Sequence, residues 1–247
     1  MEKYWLERTE LLIKKEGLEN LKKSHILIVG MGGVGSFAAE FIVRAGIGSL
    51  TIVDGDVVDI TNKNRQLPAL TSTVGISKVK VMAERLMDIN PDLKLTVINE
   101  FISPERAFEI VDTSYDYVID CIDSITPKIN LILACKRKRT KIISSMGAGG
   151  KLNPALVKVS DIKNTRDCYL AKTVRKRLAK EGILKGVKVI FSTETPIPES
   201  LQLTENQDFK KSFYGTISFM PAIFGLYAAS EVINYLINKT LSKTNLV

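Results

Sequence analysis

Apolar residues come in two textures along this chain, short unbroken runs and helical stripes, and their order predicts the architecture. Ile26 to Val29 is a short apolar run that reads as a buried parallel strand, and Leu50 to Val53 and residues 93–99, 115–123, 141–145 and 187–193 read as further strands. The stripe Val79, Met82, Leu86 and Ile89, opened by Ser77 and Lys78 and stopped at Asn90-Pro91, predicts a helix. Further helices are expected between the first two strands, after Pro104, over PKINLILACKRK (127–138) and over 167–182. Residues 4–22 carry Leu6, Leu11, Leu12, Leu18 and Leu21 among charges and read as an amphipathic helix, or two short ones, interrupted at Gly17. LNPALVKVSDI fits one extended strand or a pair, and residues 193–212 read as a long polar loop. Gly215 to Ile237 approaches bilayer length, but Pro221, Glu231, Ser218 and Ser230 favour a buried packing helix starting around Pro221 over a membrane span. Strands alternating with helices predict an α/β fold: a Rossmann-like, doubly wound, mostly parallel sheet with helices on both faces and a C-terminal α/β extension.

The loops after these strands carry the candidate chemistry. Gly30, Gly32, Gly33 and Gly35 follow the first strand directly and run into a helix. Glycine lets backbone approach a ligand closely, and the unpaired N–H groups of a helix start attract phosphate. The spacing Gly30-x-Gly32-x-x-Gly35 with Asp54 ending the second strand matches a dinucleotide fingerprint, against the plainer reading of a tight turn without ligand. Asp56, Asn62, Asn64, Arg65 and Gln66 crowd the next loop, where a guanidinium forks onto phosphate and amides bind ribose or base. Lys78 opens a helix, a place disfavoured for a cation unless it reaches an anion, and a solvent-facing lysine is the alternative. Asp120 and Asp123 end another strand; beside a triphosphate such carboxylates hold Mg²⁺, while Asp123 is equally placed to cap the following helix. Met146 to Gly150 is a second glycine-rich crossing, either a close approach to ligand or a turn.

Composition narrows the setting. The 247 residues are ordinary for a soluble globular chain at 45% hydrophobic and 25% charged, enough for one continuous core. The charged N-terminal segment lacks the sections of a signal peptide, and Cys121, Cys135 and Cys168 form no Cys-x-x-Cys pair, so a reducing cytoplasm is expected, with peripheral membrane association left open and no zinc. Cys121 and Cys135 are expected to be buried and Cys168 exposed; the only histidine, His25, has a strand-entry role rather than a metal role. The net charge of +8 is uneven: residues 136–188 hold sixteen Lys or Arg against three acids, a local +13 that leaves −5 elsewhere. Nucleic acid is the leading partner for such asymmetry, anionic membrane the next, and a solvated lysine-rich surface the alternative.

Taken together, Gly30 to Gly35, Asp54-Gly55-Asp56, Asn62-x-x-Arg65-Gln66, Lys78, Asn90-Pro91 and Asp120-x-x-Asp123 resemble the ubiquitin-activating-enzyme-like (ThiF and MoeB-like) adenylating superfamily. GIGSLTIVDGD, TNKNRQLPAL, YVIDCIDSITPK, GAGGKLNP and FSTE extend the resemblance, over nearly the whole chain, to its tRNA threonylcarbamoyladenosine dehydratases. The resemblance implies a single ThiF-type domain over 1–247, with a nucleotide-binding core at about 24–150 and a basic substrate-binding extension at about 151–247. It implies ATP and Mg²⁺ as cofactors, with Asp54 on the ribose, Arg65 and Lys78 on the phosphates, Asn62 and Gln66 assisting, the glycine loop beneath, Asp56 among the nucleotide-binding residues, and Asp123 as the metal ligand. In such enzymes the carboxylate of threonylcarbamoyladenosine, beside the anticodon, attacks the α-phosphate of ATP, and ring closure then expels AMP. The implied partners are tRNA rather than DNA, a second copy in a homodimer, and a cysteine desulfurase or sulfur-acceptor system; a monovalent-cation site stays open. Lys136, Arg137, Lys138, Arg139, Lys172, Arg175, Lys176 and Arg177 are the candidate tRNA contacts. The chain departs from the superfamily where Arg8 is followed by Leu11 rather than by a second arginine, and in lacking zinc pairs and a thioester cysteine. Adenylation of a sulfur-carrier protein's C-terminal glycine and a non-catalytic nucleotide-binding adaptor are the competing readings.

Overall fold

Side-chain alternation splits the centre of the molecule into two faces. In the computed structural model, which describes residues 4–203 and 212–239, strand β1 (His25–Val29) sends Ile26 and Ile28 to one side and Leu27 and Val29 to the other. Its neighbours β2 (Ser49–Val53) and β4 (Tyr117–Asp120) are likewise buried on both faces, as are β5 (Ile142–Ser145) and most of β7 (Lys188–Ser192). Strands β3 (Lys94–Ile98) and β6 (Val157–Asp161) close the two edges, and both are partly exposed. The order is β3-β2-β1-β4-β5-β7-β6, parallel throughout except for β6, which runs antiparallel to β7. A small antiparallel hairpin, β8 (Leu201–Leu203) and β9 (Ser212–Tyr214), stands apart.

Helices α2 (Gly35–Arg44), α3 (Lys78–Ile89) and α7 (Phe219–Ile237) cover the face carrying Ile26, Leu50 and Ile119. The other face is covered by α4 (Pro104–Ile110), α5 (Ile125–Lys138) and α6 (Tyr169–Lys180). This is the doubly wound arrangement expected from the pattern. Helix α7 is the one described helix long and apolar enough to cross a bilayer, and it packs its Met220, Phe224, Ala228, Val232 and Leu236 face against the core. It comes so close to α2 that a Cβ on Gly225 would lie 2.5 Å from the Val34 carbonyl oxygen and 3.0 Å from the Ala38 nitrogen.

Several details differ from the sequence expectations for physical reasons. Helix α1 (Glu7–Lys22) breaks at Lys14, whose φ is 64°, and not at Gly17, which is buried against Ile13. The segment 152–162 contains one strand preceded by a 3-10 turn at Pro154–Leu156, since Asn153 accepts from the Ala155 N–H and Pro154 opens the turn. The polar loop at 193–212 contains Leu201–Leu203 as strand β8, while residues 204–211 of it lie outside the described residues. His25 does enter the first strand: its Nε2 is 2.9 Å from Thr51 Oγ1 and its ring packs on Tyr115.

The α2/α7 contact sets a prediction. Gly225→Ala should force the two helices apart and cost about 1–3 kcal/mol, read as a Tm lowered by several degrees. An unchanged Tm would mean that the close contact is not rigid.

Candidate active site

The chain winds outward from β1 to β3 and returns to β4 on the other side of β1, which opens a crevice at the carboxyl ends of β1 and β4. Register puts Val29 opposite both Val53 and Asp120, so the loops starting at Gly30, Asp54 and Cys121 leave the sheet side by side. Gly30 takes φ +94°, and a Cβ there would lie 2.9 Å from the Cys121 carbonyl oxygen. At Gly35 a Cβ would come within 1.7 Å of the Gly30 carbonyl oxygen, so that position accepts no side chain. Helix α2 then begins with no side-chain cap and no acid in its first turn, leaving its positive end to the crevice.

Around that turn the polar residues face one another. Asp54 accepts the Met31 N–H at 2.6 Å and the Asp56 N–H at 2.7 Å. Burial pushes its carboxyl above the ordinary value, while those two N–H groups and the nearby Lys78 charge oppose the rise. Lys78, the first residue of α3, is buried and donates to Asp56 Oδ2 at 2.8 Å, so the cation at this helix start does reach an anion. Arg65 donates to the Thr61 carbonyl at 3.0 Å and to Asn64 Oδ1 at 2.8 Å; burial lowers its pKa, and the opposing charge of Asp123 across the crevice raises it. Gln66 lies nearest to Gly32, with its Oε1 buried and without a hydrogen-bond partner among the described residues. Asn62 is buried in its own turn, where its Oδ1 accepts the Asp59 N–H at 3.2 Å. Asn64 donates to the Thr216 carbonyl at 2.8 Å, tying the loop to the segment that leads into α7.

The paired-aspartate expectation needs correction at one position. Asp120 is fully buried: its Oδ2 accepts from Lys128 Nζ at 2.7 Å and from Ser144 Oγ at 2.5 Å, and its Oδ1 accepts the Ile122 N–H at 3.0 Å. Lys128 Nζ also donates to Ser144 Oγ and the Ser145 carbonyl. Asp120 therefore neutralises a buried ammonium and shapes the turn, while Asp123 is the exposed carboxylate beyond it. Helix α5 is entered from Ser124, so Ser124 and not Asp123 stands at its N-cap position. The sequence pattern also places Lys128 one helical turn from Leu131 and Ile132 and two from Cys135, a cation on an apolar face that signals this buried partner.

The second glycine crossing is anchored by Lys151, whose Nζ donates to the Ser192 and Glu194 carbonyls. Burial lowers its pKa, and the Glu194 carboxylate in turn accepts the Leu152 and Asn153 N–H groups. Cys168 is buried beside this crossing, contrary to expectation, because it precedes α6 where that helix packs near Gly147. The basic candidates divide. Lys172 and Lys176 are exposed along α6, whereas Arg175 is turned inward onto the Thr165 carbonyl and Arg177 reaches Thr126 Oγ1 at 3.1 Å. Lys136 to Arg139 end α5 at the opposite edge of the sheet, with Arg137 over the Phe108 ring at 4.7 Å.

Comparison with known proteins bears on this arrangement. The ThiF family profile matches residues 6–247. The chain belongs to the ThiF family. Among ThiF relatives, the tRNA threonylcarbamoyladenosine dehydratase of Bacillus subtilis is 44% identical over 233 residues, covering 92% of each chain. The solved Escherichia coli dehydratase TcdA in complex with ATP superposes with a TM-score of 0.85 at 36% identity, covering 95% of this chain and 94% of that one. Its complex with AMP gives 0.86.

The buried pair makes a prediction of its own. Lys128→Met strands the Asp120 charge and should cost about 3–5 kcal/mol in denaturant unfolding, with Lys128→Met/Asp120→Asn recovering a large part. Equal stability of the wild type and Lys128→Met would contradict the pairing.

Proposed function

We propose that this chain is an ATP-dependent tRNA threonylcarbamoyladenosine dehydratase working at the crevice between β1 and β4. The observation that carries the reading is full-length likeness: the dehydratase relatives match over nine-tenths of both chains, which favours it over sulfur-carrier adenylation and over an adaptor.

The local chemistry suits ATP as substrate. The uncapped start of α2 and the cations of Arg65 and Lys78 offer charge to phosphates, and the orphaned Gln66 oxygen offers an acceptor to a ligand N–H. Asp54 is assigned the ribose hydroxyls: its oxygens already accept N–H groups but retain further lone pairs. Asp56, bonded to Lys78, keeps that ammonium oriented. Asn62 acts through its turn, holding Arg65 and Gln66 in place by backbone bonds. Asp123 is a suitable single protein ligand for Mg²⁺, which commonly takes one or two carboxylates with phosphate oxygens and water. Bound there, the metal would screen negative charge on the phosphates.

In this reading the nucleoside carboxylate attacks the α-phosphorus of ATP, the bond to pyrophosphate breaks, and an acyl-adenylate forms. Arg65 and Lys78 offset the repulsion between carboxylate and triphosphate and take up charge moving onto pyrophosphate. An internal nucleophile of the nucleoside then closes the ring, and the acyl carbon–oxygen bond breaks to release AMP. That step is intramolecular, so orientation rather than a nucleophilic side chain is what the protein must supply. Exposed Lys172 and Lys176 support a tRNA partner, and exposed Phe219, Leu226 and Tyr227 on α7 support a homodimer, in a cytoplasmic setting.

Incubation with threonylcarbamoyladenosine-bearing tRNA, ATP and Mg²⁺, followed by mild hydrolysis and mass spectrometry, should show ATP-dependent loss of one water from the nucleoside. No change would reject the assignment. Lys78→Ala and Asp123→Ala should each lower kcat by about 10²–10³ with circular dichroism unchanged; wild-type turnover in either folded variant would remove that residue from the chemistry.

A further inference from the structure

At the amino edge of the sheet, away from the crevice, lies a groove of about 480 Å³. Its floor includes Tyr117 and Tyr235, and four cations line it: Lys136 and Arg139 from the end of α5, Lys141 just before β5, and Lys188 at the start of β7. Strands of four or five residues separate it from the carboxyl edge, about 13–17 Å at ~3.3 Å per residue.

The charge here exceeds what the fold requires. The carbonyl end of α5 favours the basic residues of its own last turn, but Lys141 lies just before β5 and Lys188 opens β7, and neither belongs to that last turn. Of the nearby carboxylates, Glu231 pairs with Lys188, and Asp161 is engaged by the Gly186 and Lys163 N–H groups at 2.6 and 2.9 Å. Two cations are held rather than trailing in water: Lys136 donates to the Gly186 carbonyl at 3.3 Å, and Lys141 sits 4.9 Å over the Tyr235 ring. Like charges gathered in a concavity with partly apolar walls repel one another and focus a positive field, which an anion relieves.

We propose that this groove is a second, non-catalytic anion site that takes backbone phosphates of the RNA substrate. The proposal rests on the tRNA reading above. With the modified nucleoside at the carboxyl edge, phosphates gripped across the sheet at the amino edge are assigned to nucleotides beyond the anticodon stem-loop. The groove would thus measure the length of the RNA and not its modification.

Binding of full-length tRNA and of its isolated anticodon stem-loop should be compared across salt concentrations for the wild type and for Lys141→Gln/Lys188→Gln, with melting curves as the check on folding. The wild type should prefer full-length tRNA. The variant should bind it about tenfold more weakly, lose that preference, and flatten the slope of log K against log salt by about 2. A folded variant that keeps the affinity, the slope and the preference would overturn the groove assignment while leaving the dehydratase reading intact. Protection of the wild type, but not the variant, from heat by inorganic phosphate, with tRNA binding equal in the two, would also overturn it by assigning the groove to a small phosphate. A wild type that binds no tRNA would instead bring down the reading on which the proposal rests.

Discussion

An ammonium taken wholly out of water must find its counter-charge inside the fold, and Lys128 finds it in Asp120. Three elements depend on that pairing. Lys128 belongs to α5, Asp120 ends β4, and Ser144 and Ser145 end β5, so one nitrogen ties the helix to two central strands at the edge where the crevice opens. The second Asp120 oxygen accepts the Ile122 N–H and so sets the turn from which Asp123 emerges opposite Arg65. The exposed carboxylate is positioned by a buried one.

Cations are held by partners at both edges of the sheet, but the balance of charge differs between them. At the carboxyl edge, cations are engaged with partners: Lys78 with Asp56, Arg65 with Thr61 and Asn64, Lys151 with two carbonyls. Held side chains suit chemistry, because a site ordered before substrate arrives loses less on binding. At the amino edge the cations of Lys136, Arg139, Lys141 and Lys188 outnumber the acids beside them, an arrangement suited to drawing in a polyanion. The uneven charge of the sequence becomes spatial there.

Much of this was legible before the fold was known. The first strand reads correctly because a strand covered on both faces is largely apolar, and the glycine spacing after Val29 points to the crevice because no side chain fits at Gly30 or Gly35. The likeness to dehydratases was carried by motifs spread over the chain, and relatives bear it out. What escaped depends on contacts distant in sequence. Lys128 looks like a helix lysine until Asp120 and Ser144 close around it, and Lys151 until Ser192 and Glu194 do. The burial of Cys168 is decided by how α6 meets the glycine crossing, and a basic run does not reveal that Arg175 is the member that turns inward.

Activation of a carboxylate in the crevice by joining it to AMP is read most directly by oxygen tracing. Threonylcarbamoyladenosine tRNA labelled with ¹⁸O in its carboxylate would be turned over with unlabelled ATP, and the nucleotide products weighed. AMP carrying one ¹⁸O, alongside unlabelled pyrophosphate, is the expected result. Unlabelled AMP with the isotope released in water, or ADP and labelled phosphate in its place, would contradict it.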